Sequence, residues 1–280
     1  MSREGFQSEE NLAKAVNKGV EIAMNAIDRQ QIALSFGPFA VSASDGSEYT
    51  GVYKSPYCLD KSVININRYI NEHLVEFHLN RINALDSGTT VDYILFETVP
   101  LLSEVRAIRK AMKLSKRSEP LWISLVFPDG SLPGSKLDSE GGQQSNKMID
   151  ILDTLFYEDD HLSNVTGIGI NCTKPYYIKS LITELKSILK GSFDLNYKPF
   201  LSIYPDGGLV WDAVNRVWCE PDKNLRNDNS WSDELIDAIS VVVEDDNSPF
   251  SIIIAGGCCK SGPEQIKQLR LACQKRNWLA

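Results

Sequence analysis

Residues 165–178 read VTGIGINCTKPYYI. The first six form a short apolar run, the next three are small and polar, and Pro175 opens a helical pattern. Proline is tolerated in a first helical turn because its missing N–H has no partner there anyway. The stretch therefore reads as strand, turn and helix, with Asn171 and Cys172 at the strand's end. Further runs of the same kind are QIALSF (31–36), VDYILFE (91–97), LWISLVF (121–127), PFLSIY (199–204) and FSIIIA (250–255). They are nearly continuous in hydrophobicity, as strands covered on both faces must be, rather than alternating.

Helical faces lie between them. Ile70, Leu74 and Phe77 share one, Met148, Ile151, Leu152 and Leu155 a second, and Ile178, Leu181, Ile182, Leu185 and Ile188 a third. Repeated strand–helix alternation predicts an α/β fold around a parallel sheet, open or closed. Two long polar loops, 128–145 and 205–230, interrupt the rhythm without ending it. Ser261 and Glu264 have capping-box spacing ahead of the last helix. The chain opens on a helix-like stretch, Glu9 to Asp28, and shows six strands where a closed (β/α)8 barrel has eight.

Composition narrows the function. The 280 residues are 42% hydrophobic and 24% charged, with a net charge of −8. No block of Lys and Arg offers a footprint for nucleic acid or an anionic membrane. No apolar run reaches the ~18 residues of a membrane span. The N-terminal residues carry no apolar signal core, and a cytoplasmic location is the expectation. The six cysteines, at 58, 172, 219, 258, 259 and 273, do not suggest a disulfide framework, and those that cluster read as ligands or reactive groups.

Three of them occupy strand ends. Cys172 follows GIGIN, and Cys258 and Cys259 follow Gly256 and Gly257 after the last apolar run. Reactive groups of α/β barrels gather at the C-terminal ends of the strands. Three thiolates there suit Zn2+ and leave a fourth, catalytic position open. Plain packing of small buried residues, or a vicinal redox pair, are the alternatives that spacing alone leaves standing. Glu97, ending a third strand, could hold a ligand's ammonium group, and could equally cap a helix. Gly37-Pro38 ends a fourth strand, whose polar loop runs through Asp45, Gly46, Ser47, Glu48 and Tyr49. His73, His78 and His161 read as surface residues, which leaves no partner for a Ser-His or Cys-His nucleophile. Cys58, Cys219 and Cys273 read as structural.

Together SFGPFAVSASDGSEYTG, VDYILFETVP, GIGINCTKPYYI, IYPDGGLVWD and IIIAGGCCKSGPEQI resemble the homocysteine S-methyltransferase family, over about Gln7 to Leu271. The resemblance implies a (β/α)8 barrel that binds one zinc ion through Cys172, Cys258 and Cys259. It implies homocysteine as fourth ligand through its thiolate, with Glu97 on the ammonium. The implied donor is a sulfonium, S-methylmethionine or S-adenosylmethionine, and the product is methionine.

The resemblance also implies two β/α units ahead of Glu9 that this chain lacks, together with an acidic residue for homocysteine. Residues 1–280 are thus expected to form a single, N-terminally truncated homocysteine-binding domain, an incomplete barrel prone to self-association through its exposed sheet edges. The family's Tyr-Pro-Asn-Ser-Gly turn is Tyr204-Pro205-Asp206-Gly207-Gly208 here, which is expected to add a charge at the mouth. Two classes of function remain: a zinc methyltransferase, or an impaired relative that binds zinc or another subunit without turnover.

Overall fold

A computed structural model of the chain describes residues 9–26, 30–43, 46–53, 73–133, 147–157, 159–212, 217–219 and 230–279. All six apolar runs form strands: β1 (Ala33–Phe36), β2 (Tyr93–Val99), β3 (Leu121–Leu125), β4 (Val165–Asn171), β5 (Phe200–Tyr204) and, last in the chain, β8 (Ile253–Ala255). They make one parallel sheet in the order β1-β2-β3-β4-β5-β8. Longer helices connect or flank them: α1 (Glu9–Ala26), α4 (Val75–Asn83), α5 (Leu102–Ser115), α6 (Met148–Phe156), α7 (Pro175–Ser192), α8 (Trp231–Val243) and α9 (Pro263–Lys275). Two single-turn helices, α2 (Ala40–Ala43) and α3 (Ser47–Thr50), lie in the segment after β1. This is the strand–helix arrangement of a (β/α)8-type fold, with β1 and β8 at the edges of the sheet.

The strands' two-residue period divides the core. Ile94, Phe96, Leu121, Ile123, Ile168 and Leu201 face the helices and join the main core with Ile108, Ile182 and Leu185. The intervening Leu95, Trp122 and Phe200 pack with Ala33, Tyr93 and Tyr204 on the inner face. Trp122 and Phe200 meet edge to face at 5.3 Å. The glycines of β4 make room for them. A Cβ at Gly167 would enter the Phe200 ring, and one at Gly169 would enter the Ser124 hydroxyl.

Four details depart from the sequence reading. The polar loop at 205–230 contains a small antiparallel hairpin, β6 (Val210–Asp212) with β7 (Val217–Cys219), whose strands are too short to stand out by periodicity. The cap of α9 is Gly262, not Ser261; the Gly262 N–H donates to Gln265 Oε1 at 3.0 Å, while Ser261 Oγ turns toward the Pro205 carbonyl at 3.3 Å. His73 and His161 are exposed, but His78 is fully buried against Glu104, with Nε2 2.9 Å from Oε1. Cys273 is buried in the core while Cys219 is exposed on the hairpin. Cys58, Asp45 and Ile70 lie outside the described residues. No helix among the described residues is long and apolar enough to cross a membrane.

Candidate metal centre

Cys172 is delivered by the buried strand β4 through a backbone that few residues adopt. Its φ is 47°, in the left-handed region, and Thr98, after Glu97 on β2, has φ 62°. Such conformations cost about 1–3 kcal/mol and persist where neighbours impose them. Asn171 is that neighbour. Its Oδ1 accepts from Thr98 N at 2.9 Å and its Nδ2 donates to Thr98 Oγ1 at 2.7 Å, so one buried amide locks the ends of β2 and β4 together. The same Nδ2 lies 3.9 Å from Cys258 Sγ.

Cys258 and Cys259 are held by the turn that follows β5. Cys258 N donates to the Pro205 carbonyl at 2.8 Å, and Gly207 N donates to the Cys259 carbonyl at 2.7 Å. Ser261 N closes the turn onto the Cys258 carbonyl at 3.1 Å. The approach is so close that a Cβ on Gly207 would collide with the Lys260 carbonyl, and one on Gly257 with Ser261. These glycines, not the cysteines themselves, let two consecutive side chains reach inward.

The three sulfur atoms converge. All lie within 4.8 Å of one another, and Cys172 and Cys259 are 3.8 Å apart. Four-coordinate zinc with Zn–S bonds of ~2.3 Å sets its sulfurs about 3.8 Å apart, so the spacing fits the ion.

Their electrostatics fit as well. Hydrogen bonds from Cys172 and then Cys258 hold Cys259 as the thiolate, with a pKa down to about 3, and Lys174 assists. Hydrogen bonding with Cys258 and Cys259, followed by burial, pushes Cys172 far up. Cys258 is drawn down by Cys172, but Cys259 and burial outweigh that and leave a net rise. One thiol ionises readily and the other two resist, because negative charges this close repel. A divalent cation at the centre would remove that resistance, since coordinated thiols are deprotonated.

Glu97 stands on the inner face of β2, in register with Tyr93 and Leu95, and is half-buried. It accepts from Ser35 Oγ on β1, and the Tyr204 hydroxyl lies against it while donating to Ser124 Oγ at 2.7 Å. Burial first, then Glu97, push the Tyr204 phenol upward. Asp206 does not place a free charge at the mouth. It is buried and ion-paired with Lys174 Nζ at 2.6 Å, and its Oδ1 accepts from Gly208 N at 2.8 Å. Burial still raises its pKa, against the pull of Lys174. Burial first, then the nearby Cys172 and Cys259, push up the phenol of Tyr49, one residue of an otherwise unremarkable polar loop.

The sequence profile of the family described as homocysteine S-methyltransferase matches residues 1–273. The chain belongs to the homocysteine S-methyltransferase family. Homocysteine S-methyltransferase 3 of Arabidopsis thaliana is 27% identical over 239 residues, which are 85% of this chain and 56% of that protein. Selenocysteine Se-methyltransferase of Brassica oleracea var. italica is also 27% identical, over 85% of this chain and 56% of its own length. The chain thus spans a little over half of these relatives. The crystal structure of the homocysteine methyltransferase MmuM from Escherichia coli, in a metallated form, superposes with a TM-score of 0.56 at 22% identity, covering 95% of this chain and 71% of that one. The homocysteine S-methyltransferase likeness read from the G-x-N-C and G-G-C-C segments is therefore sound, and the shared fold extends over nearly the whole chain.

Proposed function

We propose that this protein transfers a methyl group from a sulfonium donor, S-methylmethionine or S-adenosylmethionine, to homocysteine, forming methionine. The carrying observation is the convergence of Cys172, Cys258 and Cys259, with sulfurs within 4.8 Å. These three would hold Zn2+, which when bound keeps a thiol in its open position ionised at neutral pH. Glu97, steadied by Ser35 and Tyr204, would take the ammonium group of homocysteine by a charge-assisted hydrogen bond. In the reaction the homocysteine sulfur bonds to the methyl carbon. The sulfonium C–S bond breaks, and its electron pair returns to the leaving sulfur as a neutral thioether. No general acid is required, which agrees with His73 and His161 lying exposed and His78 being engaged with Glu104. What remains for the protein is in-line placement of the two sulfurs.

The reading is tested on purified chain by zinc content and by methionine formed from homocysteine with each donor. One zinc per chain and turnover with at least one donor are expected. Cys258→Ala should lose both; retention of zinc and rate in that variant would sink the assignment. A second reading, a relative that binds zinc or a partner without turnover, draws support from β1 and β8, which are the outer strands of the sheet among the described residues. One zinc per chain without methionine from either donor would select it. The exposed flanks of β1 and β8 support self-association, and the need to keep three neighbouring thiols reduced supports a cytoplasmic location.

A further inference from the structure

We infer that Lys174 and Asp206 are positioning residues: their ion pair ties the turn that holds Cys258 and Cys259 to the strand end that carries Cys172, and so sets the spacing of the three sulfurs. The inference rests on the zinc reading above and concerns residues outside the three ligands. Lys174 follows Cys172 by two positions and caps the N-terminus of α7. Its Nζ donates to Asp206 Oδ2 at 2.6 Å and also to the Leu209 carbonyl. One ammonium thereby grips residues 206–209 at both ends. Within that stretch Asp206 Oδ1 accepts from Gly208 N at 2.8 Å, and Gly208 takes a φ of 87°. Gly207, held between these contacts, donates its N–H to the Cys259 carbonyl at 2.7 Å.

The backbone runs alongside the same tie. Asp206 N donates to the Thr173 carbonyl at 3.1 Å. Thr173 is fully buried; its hydroxyl accepts from Phe127 N at 2.9 Å and donates to the Asn171 carbonyl at 3.0 Å. The chain on both sides of Cys172 is thus fixed in the core before it meets the turn. From α8, Trp231 Nε1 donates to the Asp206 carbonyl at 2.8 Å. The paired side chains are largely shielded from water, 15% exposed for Lys174 and 8% for Asp206. Such a pair adds little net stability over a neutral one, because desolvation offsets the attraction. Its charges are compensated only when the turn sits in this register, so the pair selects a position rather than adding strength.

The test follows zinc transfer from the loaded chain to a chromophoric chelator, the thiolate-to-cobalt absorption of the Co2+-substituted protein, and the denaturant midpoint at a fixed excess of zinc. Lys174→Met should release zinc about 10-fold faster and alter the cobalt band. It should also lower the midpoint, because Asp206 is left buried without its partner. The double variant Lys174→Met/Asp206→Asn leaves neither charge. Its midpoint should rise above that of Lys174→Met, while zinc release stays about 10-fold faster than in wild type, because the tie is still missing. A merely structural role would restore both together. Should Lys174→Met fail to fold, the double variant carries the comparison with wild type. Zinc release at the wild-type rate in either variant, or an unchanged cobalt band, overturns the inference. So does a double variant with a midpoint as low as that of Lys174→Met, since faster release would then report lost stability. Wild-type chain that holds no zinc overturns the metal reading itself, and that result is distinguishable because it precedes any variant.

Discussion

β4 and β8 supply the three cysteines from opposite surroundings. In β4 every residue except Thr166 is buried, and Cys172 inherits its position from a strand fixed on both faces. In β8 Ile254 and Ala255 are exposed, and the strand lies at the sheet's edge. An edge strand packed on so little cannot place two sulfurs by burial alone. Cys258 and Cys259 take their position instead from Pro205 and Gly207, through hydrogen bonds of 2.8 and 2.7 Å. One arm of the site is set by the core, the other by a turn.

The sharpest way to break that contrast is Gly207→Ala. The new methyl would meet the Lys260 carbonyl, and backbone cannot rotate out of the way as a side chain can. The Cys258–Cys259 turn must shift while Cys172 stays in place. Zinc affinity in a competitive chelator titration is expected to fall by about 10–100-fold, the range seen when a support behind the ligands is lost. Unchanged affinity would mean that the turn after β5 does not position the pair.

Gly169→Ala probes the other arm. Its methyl would enter the space of the Ser124 and Ser202 hydroxyls on the inner face of the sheet. Overpacking of this kind costs about 1–3 kcal/mol, measured as a lowered denaturant midpoint. The affinity of the folded fraction for zinc should change less than it does in Gly207→Ala. An unchanged midpoint would show that the interior beside β4 is looser than its close contacts imply.

The sequence disclosed these arms unequally. All six strands of the sheet were readable because their runs are nearly continuous in hydrophobicity, although only the inner strands β2 to β5 are largely buried and β8 carries the same pattern at an exposed edge. The cysteines were readable because glycines and a strand end mark a place where backbone must bend. The β6–β7 hairpin was not, since three-residue strands leave no periodic trace. His78 was misread as a surface residue, although Leu74 and Ile82, four positions to either side, are fully buried and mark its face. Asp206 and Lys174 neutralise each other across 32 positions. Pairings of that kind belong to the fold and have no local signature.

The smallest effect is expected at the rim of β8. Ile254 pairs in register with Ser202 and so shares the inner face with Phe200, yet it is 39% exposed, and Ile252 on the same face is 61% exposed. Among the described residues this edge has no further strand beside it; apolar side chains on such an edge invite a second strand, and lysine there discourages one. Ile254→Lys should therefore change unfolding free energy by no more than about 0.5 kcal/mol, as for other substitutions at exposed positions. In sedimentation velocity it should reduce any concentration-dependent association of the wild-type chain. A loss of about 2–5 kcal/mol, the cost of disrupting a buried Ile, would instead mean that this face is covered in solution. The contrast between a core-set arm and a turn-set arm would then hold for the isolated chain and not for its assembled form.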